Sequence, residues 1–227
     1  MTTMLTLHNL IKSVAITIFL VASVSTAFAT SEDIGSIDQI KGSGVLERGA
    51  SVIIDGDVGV GVQSMDEAVT ANGTMRINFV DETQVELTEQ SRLVIDEFVY
   101  DPSSDIGSLS LKASLGTVRY ASGQIAKRYK QNVKIRTPSA TIGVRGTDFI
   151  MNVDEFGGSM ITLLPSCNTA GMCYTGEITV ETDAGMVIMN QAFQATTVST
   201  PESRPLKPVI LGLDENMINR CTIELYF

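Results

Sequence analysis

Three cysteines, one arginine set among glycines and a scatter of aspartates are the residues with chemistry to offer. Cys167 and Cys173 flank a short polar run, Asn168 to Met172, and in an oxidising compartment that spacing suits a disulfide that closes a loop. A metal or redox pair is the rival reading, but the spacing is not Cys-x-x-Cys and no third ligand is evident. Cys221 is left over, either free or bridging to another chain. Arg145 stands in the run Gly143-Val144-Arg145-Gly146, where its planar fork of five donors can hold a carboxylate or several carbonyls. It would then bind an acidic ligand, or pin a backbone bend through Asp148 or another acid. Glycines on both sides permit a bend, so the second role is the one expected. Asp55-Gly56-Asp57, and Asp101 with Asp105, invite a calcium site. Neither forms a spaced oxygen-ligand loop, and aspartate is ordinary in turns. No metal and no cofactor are expected.

The single histidine is His8, and it lies in a segment that reads as an export leader. Lys12 gives the positive flank, Val14 to Val24 the apolar stretch, and Ala27-Phe28-Ala29 the small-x-small cleavage pattern. Cleavage before Thr30 would leave no histidine, and therefore no Ser-His-Asp or Cys-His site and no zinc site built on imidazole. The commonest general base is also lost. The apolar run is shorter than the roughly 20 residues of a spanning helix, so no membrane span is expected after cleavage, and the location is periplasmic or secreted. Removing residues 1–29 takes away Lys12 and no acid, turning 16 basic and 26 acidic residues into 15 and 26, a net of −11. That sign repels phosphate backbones, which excludes ordinary nucleic-acid binding.

The elements that must position these residues are strands. Met75, Ile77 and Phe79 alternate with Arg76 and Asn78, and Val85 and Leu87 alternate with Glu86, which predicts a hairpin joined at Asp81-Glu82 with one buried face. The same period of two returns at Leu109, Leu111, Ala113 and Leu115, at Val133 and Ile135, at Phe149, Met151 and Val153, at Ile178 and Val180, and at Val187 and Met189. Turn signals such as Ala71-Asn72-Gly73, Phe156-Gly157-Gly158 and Asp183-Ala184-Gly185 separate them. An all-β antiparallel sandwich or roll of roughly a dozen short strands with minor helix follows. Gln124 to Gln131 is the stretch most compatible with helix. Tyr100 to Gly107 and Thr200 to Pro208 read as linkers because of their prolines. Ile223, Leu225 and Phe227 alternate at the end of the chain as if in a last docked strand.

Several segments together resemble the FecR-domain family. Gly44-Val45-Leu46-Glu47-Arg48-Gly49 is similar to its opening strand, Thr74 to Leu93 to its alternating run, and Gly116-Thr117-Val118 to its central glycine strand. The most specific part is Thr137-Pro138-Ser139-Ala140 followed by Gly143-Val144-Arg145-Gly146-Thr147-Asp148-Phe149. Of these, Thr137, Pro138, Gly143, Arg145, Gly146 and Thr147 are the family-motif positions, and their expected role is to shape the backbone. The regulators of this family carry a sigma-factor-binding region before a membrane helix, and only about ten residues precede the apolar segment here, so the resemblance is to free-standing exported members. It implies residues 1–29 as signal peptide, 30–43 as a lead, 44–199 as the β domain and 200–227 as a proline-rich linker and tail. The function implied is a non-enzymatic extracytoplasmic binding or interaction module, sensing or scaffolding in the envelope with an envelope protein or glycan as partner. The alternative is a carboxylate-based periplasmic enzyme such as a glycan-active hydrolase, which would need two acids converging in space.

Overall fold

Three strands are long enough to serve two neighbourhoods each, and the architecture follows from where they bend. The computed structural model describes residues 32–129, 131–167 and 172–212. The expected leader, Cys221 and the final alternating segment lie outside them. In chain order the strands are β1 (Gly35–Arg48), β2 (Val52–Asp55), β3 (Gly61–Val62), β4 (Asp66–Phe79), β5 (Gln84–Leu87), β6 (Arg92–Asp101) and β7 (Ile106–Ala121). The short helix α1 (Gln124–Arg128) comes next. Then follow β8 (Val133–Arg136), β9 (Thr141–Arg145), β10 (Asp148–Val153), β11 (Ser159–Leu164), β12 (Ser166–Cys167), β13 (Cys173–Tyr174), β14 (Glu177–Thr182), β15 (Gly185–Met189), β16 (Gln194–Val198) and β17 (Val209–Ile210). The fold is all-β, and every pairing is antiparallel except that of β7 with β8, the one that α1 connects.

The first half of β4 pairs with β6 and its second half with β5. The first half of β7 lies between β6 and β8, and its second half between β5 and β10. Two wings result. One runs β2-β1-β4-β6-β7-β8-β9-β14-β15 and the other β3-β1-β4-β5-β7-β10-β11-β16-β17, with β1, β4 and β7 shared. Side chains of both wings join one core, from Leu46, Leu93, Leu111, Ile135, Ile142 and Val180 on the first to Ile77, Leu87, Tyr120, Phe149, Met151 and Leu163 on the second.

A strand can cross between wings only if it bends, and glycines supply the bends. Gly42 on β1 and Gly73 on β4 face each other in register, at φ +80° and +130°. A Cβ on either would stand 1.8 Å from a carbonyl oxygen of the opposite strand, Asn72 or Lys41. On β7 the bend is Gly116, at φ +83°, where a Cβ would meet Ser91 Oγ at 2.3 Å. Hydroxyls satisfy the backbone groups that the bends expose. Thr70 accepts from Ser91 N at 3.0 Å and donates to the Thr88 carbonyl. Ser91 Oγ accepts from Thr117 N at 3.0 Å.

The predicted hairpin is β4–β5, with Met75 opposite Leu87 and Ile77 opposite Val85. Two boundaries fall differently. Residues 35–43 are no lead, since they form the first half of β1, with Ile37 buried opposite Ile77. A register shift and the Gly42 bend separate Ile37 from the next buried residue, Leu46, which interrupts the alternation. Tyr100 to Gly107 is not a linker but the tip of the β6–β7 hairpin, where Tyr100 pairs with Gly107. Asp101 Oδ1 accepts from Ser103 N and Ser104 N there. The proline-rich stretch lies along β16, with Leu206 N donating to Thr197 O at 3.1 Å, and continues into β17.

Replacing Gly73 with alanine should remove at least about 3 kcal/mol of stability, because strain and overlap act together. Gly49 is a control with positive φ but no atom within 4 Å of a Cβ, and its alanine variant should lose only about 1 kcal/mol. Urea denaturation of both variants checks this, and equal losses would show that the Gly42–Gly73 crossing is not the constraint.

Candidate functional site

The family motif occupies the passage from one wing to the other. Ile142 and Val144 of β9 point into the core, which leaves Thr141, Gly143 and Arg145 on the outer face. Gly143 lies so close to its neighbour strand that a Cβ would meet Thr179 Oγ1 at 2.6 Å. Gly146, at φ +61°, then turns the chain into β10 and hence into the second wing. Arg145 and Asp148 therefore face different sheets, and the expected pairing between them is not the one formed. Arg145 Nη1 donates to Glu177 Oε1 at 2.8 Å, its register partner across β14. With side chains 46% and 31% exposed, such a pair contributes at most about 1 kcal/mol.

Thr147, fully buried, knots the passage. Its N–H donates to Ser122 Oγ at 2.9 Å, its hydroxyl donates to the Leu164 carbonyl at 3.3 Å, and Gly176 N donates to that hydroxyl at 3.2 Å. The preceding corner is equally tied. Ala140 N donates to Thr137 Oγ1 at 3.1 Å, and Ser139 Oγ donates at 2.7 Å to Ser159 Oγ, which in turn donates to Thr137 Oγ1 at 2.8 Å. Cys167 and Cys173 are joined in a disulfide across the β12–β13 ladder. Next to it, Ser166 Oγ donates to Asp148 Oδ1 at 2.8 Å.

Asp148 belongs to a row of alternating charge on the outer face of the second wing. Arg76 donates to Asp38 at 3.0 Å, Arg76 stands opposite Glu86 and Glu86 opposite Arg119, and Arg119 lies 3.6 Å from Asp148. Burial pushes both carboxyls, Glu86 and Asp148, above their ordinary values, against the pull of the arginines. Arg119 lies between the two acids, opposite Glu86 in register and 3.6 Å from Asp148. Among the described residues no group of three or more acids, cysteines or histidines could hold a metal ion. Asp101, one of the calcium candidates, accepts hydrogen bonds from Ser103 and Ser104 that draw its carboxyl down to about 2.

A pocket of about 620 Å³ opens where the Thr137-Pro138 corner meets the β10–β11 turn. Arg92, Ser114, Leu115, Pro138 and the turn residues Asp154 to Gly157 line it. Phe156 stands at its lip, 96% exposed. The backbone of the turn is tied by Asp154 Oδ1, which accepts from Phe156 N and Gly158 N, both at 2.8 Å. Behind it a Cβ on Gly157 would lie 3.0 Å from Pro138 Cβ, so the turn rests on the motif. Arg92 forms the far wall and donates to Glu67 at 2.9 Å and Glu47 at 3.3 Å. The sequence reading placed a turn at Phe156 and passed over its side chain. A large aromatic inside a glycine-rich turn was the available signal, since such a position cannot reach a core.

Residues 66–164 match the family described as FecR protein, a span from the start of β4 to the end of β11. The match is shorter than the β domain expected at 44–199, yet every residue lining the pocket falls within it. Two crystal structures of a candidate anti-sigma factor from Parabacteroides distasonis, at 1.65 and 2.50 Å resolution, are similar at 15% identity with a TM-score of 0.45. The similarity covers 62% of this chain and 57% of that one, so the chain spans little more than half the length of the structure it matches. No curated protein matches the sequence.

The raised carboxyls give a test in pH. Above its ordinary value of 4.5 the folded Glu86 holds a proton that the unfolded chain releases, so its contribution to stability falls as pH rises through the folded value. Glu86→Gln removes that negative term. Its stability should therefore rise more steeply with pH in mild acid than that of the parent chain, as measured by denaturation at a series of pH values. An unchanged slope would contradict the desolvation of Glu86.

Proposed function

We propose that the protein is a non-enzymatic interaction module of the cell envelope and that the pocket beside Phe156 is its recognition surface. One observation carries this reading: a Phe156 ring 96% exposed, presented by a hydrogen-bonded turn beside a pocket of about 620 Å³ within the residues that match the FecR family. A lone exposed apolar side chain is ordinary on a protein surface, and this ring is singled out because it lines a pocket together with Leu115 and Pro138. The family matched supports a regulatory or sensing role. The formed disulfide and the leader pattern support an oxidising compartment outside the cytoplasm, and among the described residues no helix is long and apolar enough to cross a membrane. The enzymatic alternative is the weaker reading because neither Glu86 nor Asp148, the carboxyls with raised values, lines the pocket beside Phe156.

A photo-crosslinking residue in place of Phe156, in cells that make the protein, tests the surface. Position 156 should give a discrete adduct with an envelope component. The same residue at Ile53, which is 69% exposed on β2, should not. Equal labelling from both positions, or none from 156, would remove the pocket as the recognition surface.

A further inference from the structure

The pocket carries a charge, and that charge selects what enters. Leu115, Pro138 and Phe156 offer apolar surface to a side chain. Asp154 and Glu155 stand beside them, and across the pocket Glu47 and Glu67 hold Arg92. Glu47 and Glu67 thus flank the Arg92 guanidinium, and Asp154 and Glu155 line the same pocket, which leaves acids in excess. Asp154 is engaged by the turn amides, whereas Glu155 is exposed and forms no ion pair among the described residues.

This balance decides between occupants. A second copy seated by two-fold symmetry would bring acidic rim against acidic rim, in a chain with 26 acids and 16 bases, and like charges across an interface are repulsive. An anionic polymer is repelled for the same reason. A neutral sugar could donate hydroxyls to the rim but would leave its charge unmatched. A polypeptide that places an apolar side chain beside lysine or arginine satisfies lining and rim together.

We propose, building on the interaction-module reading, that the pocket docks a basic polypeptide segment. One apolar side chain of that segment packs between Leu115, Pro138 and the Phe156 ring. Its flanking cations pair with Glu155 and with the carboxylates that surround Arg92. The aromatic anchor gives affinity, and the acidic rim gives selectivity and rate of encounter.

The purified full chain can be tested by fluorescence polarisation against three short labelled peptides: lysines alternating with leucine and phenylalanine, the same peptide with glutamate for each lysine, and a lysine–serine peptide without apolar residues. The first should bind saturably, more weakly as salt rises, and the other two at least about tenfold more weakly. Phe156→Ala should weaken the first complex about tenfold or more without moving the melting temperature, and Glu155→Lys should shift preference toward the glutamate peptide. Met186→Ala, on β15, should change nothing. Absence of saturable binding by the first peptide overturns the proposal. A preference of the parent chain for the glutamate peptide that Phe156→Ala abolishes overturns the basic-segment assignment while leaving the pocket as a recognition surface. Binding that survives Phe156→Ala unchanged, together with no adduct from position 156, overturns both readings.

Discussion

The contact between Gly42 and Gly73 is the constraint on which the two-wing arrangement depends. Two backbones approach there so closely that neither can carry a side chain, and both adopt positive φ. An L-residue with a Cβ meets both a steric and a conformational penalty at such a place. Because the two glycines are register partners, β1 and β4 bend together and remain paired on both sides of the bend. The ladder is kept and the sheet turns over onto itself. Gly116 repeats the device on β7, and Gly146 carries the chain from β9 to β10 across the same divide.

Bending a strand inside a fold exposes amides and carbonyls that the ladder would have satisfied, and leaving them unpaired is costly. The hydroxyls of Thr70 and Ser91 meet that need at the β4 and β7 bends, serving the backbone of Ser91 and Thr117, and those of Ser122 and Thr147 do so at the motif passage, serving Thr147 and Gly176. Hydroxyls suit the task because each can donate and accept. The family motif reads most simply in these terms. Thr137, Gly146 and Thr147 are placed where the chain changes sheet, and their hydrogen bonds stay within the fold. Arg145 turns outward to Glu177 on the neighbouring strand, and Pro138 outward to the pocket.

The pocket is a by-product of the same bends. Leu115, which continues the alternation of Leu109, Leu111 and Ala113, is only part-buried because the next residue is the Gly116 bend, and the wings diverge there. Pro138 caps the opposite corner, and the β10–β11 turn closes the third side with Phe156. A hollow formed where two wings diverge needs no mobile element to form it. Its chemistry can therefore vary through turn residues such as Glu155 and Phe156 while the scaffold stays intact.

The sequence by itself pointed to the strand character, the β4–β5 hairpin and the pairing of Cys167 with Cys173, because each depends on neighbours a few residues apart. A period of two selects a buried face within one strand, and a short loop brings its own ends together. It left open which strands are shared between wings, since β4 and β7 read as continuous alternation whichever partner lies beside each half. It also left open the partner of Arg145: Asp148 is near in the chain, but Glu177 is near in the sheet, and a positive φ at Gly146 decides between them. Ile37 and Phe156 show the same limit from opposite sides. One is a core residue hidden behind a bulge and a glycine bend, the other an apolar residue stranded in solvent by a turn. Burial belongs to the packing of both wings, and no local pattern records how two distant strands will bend.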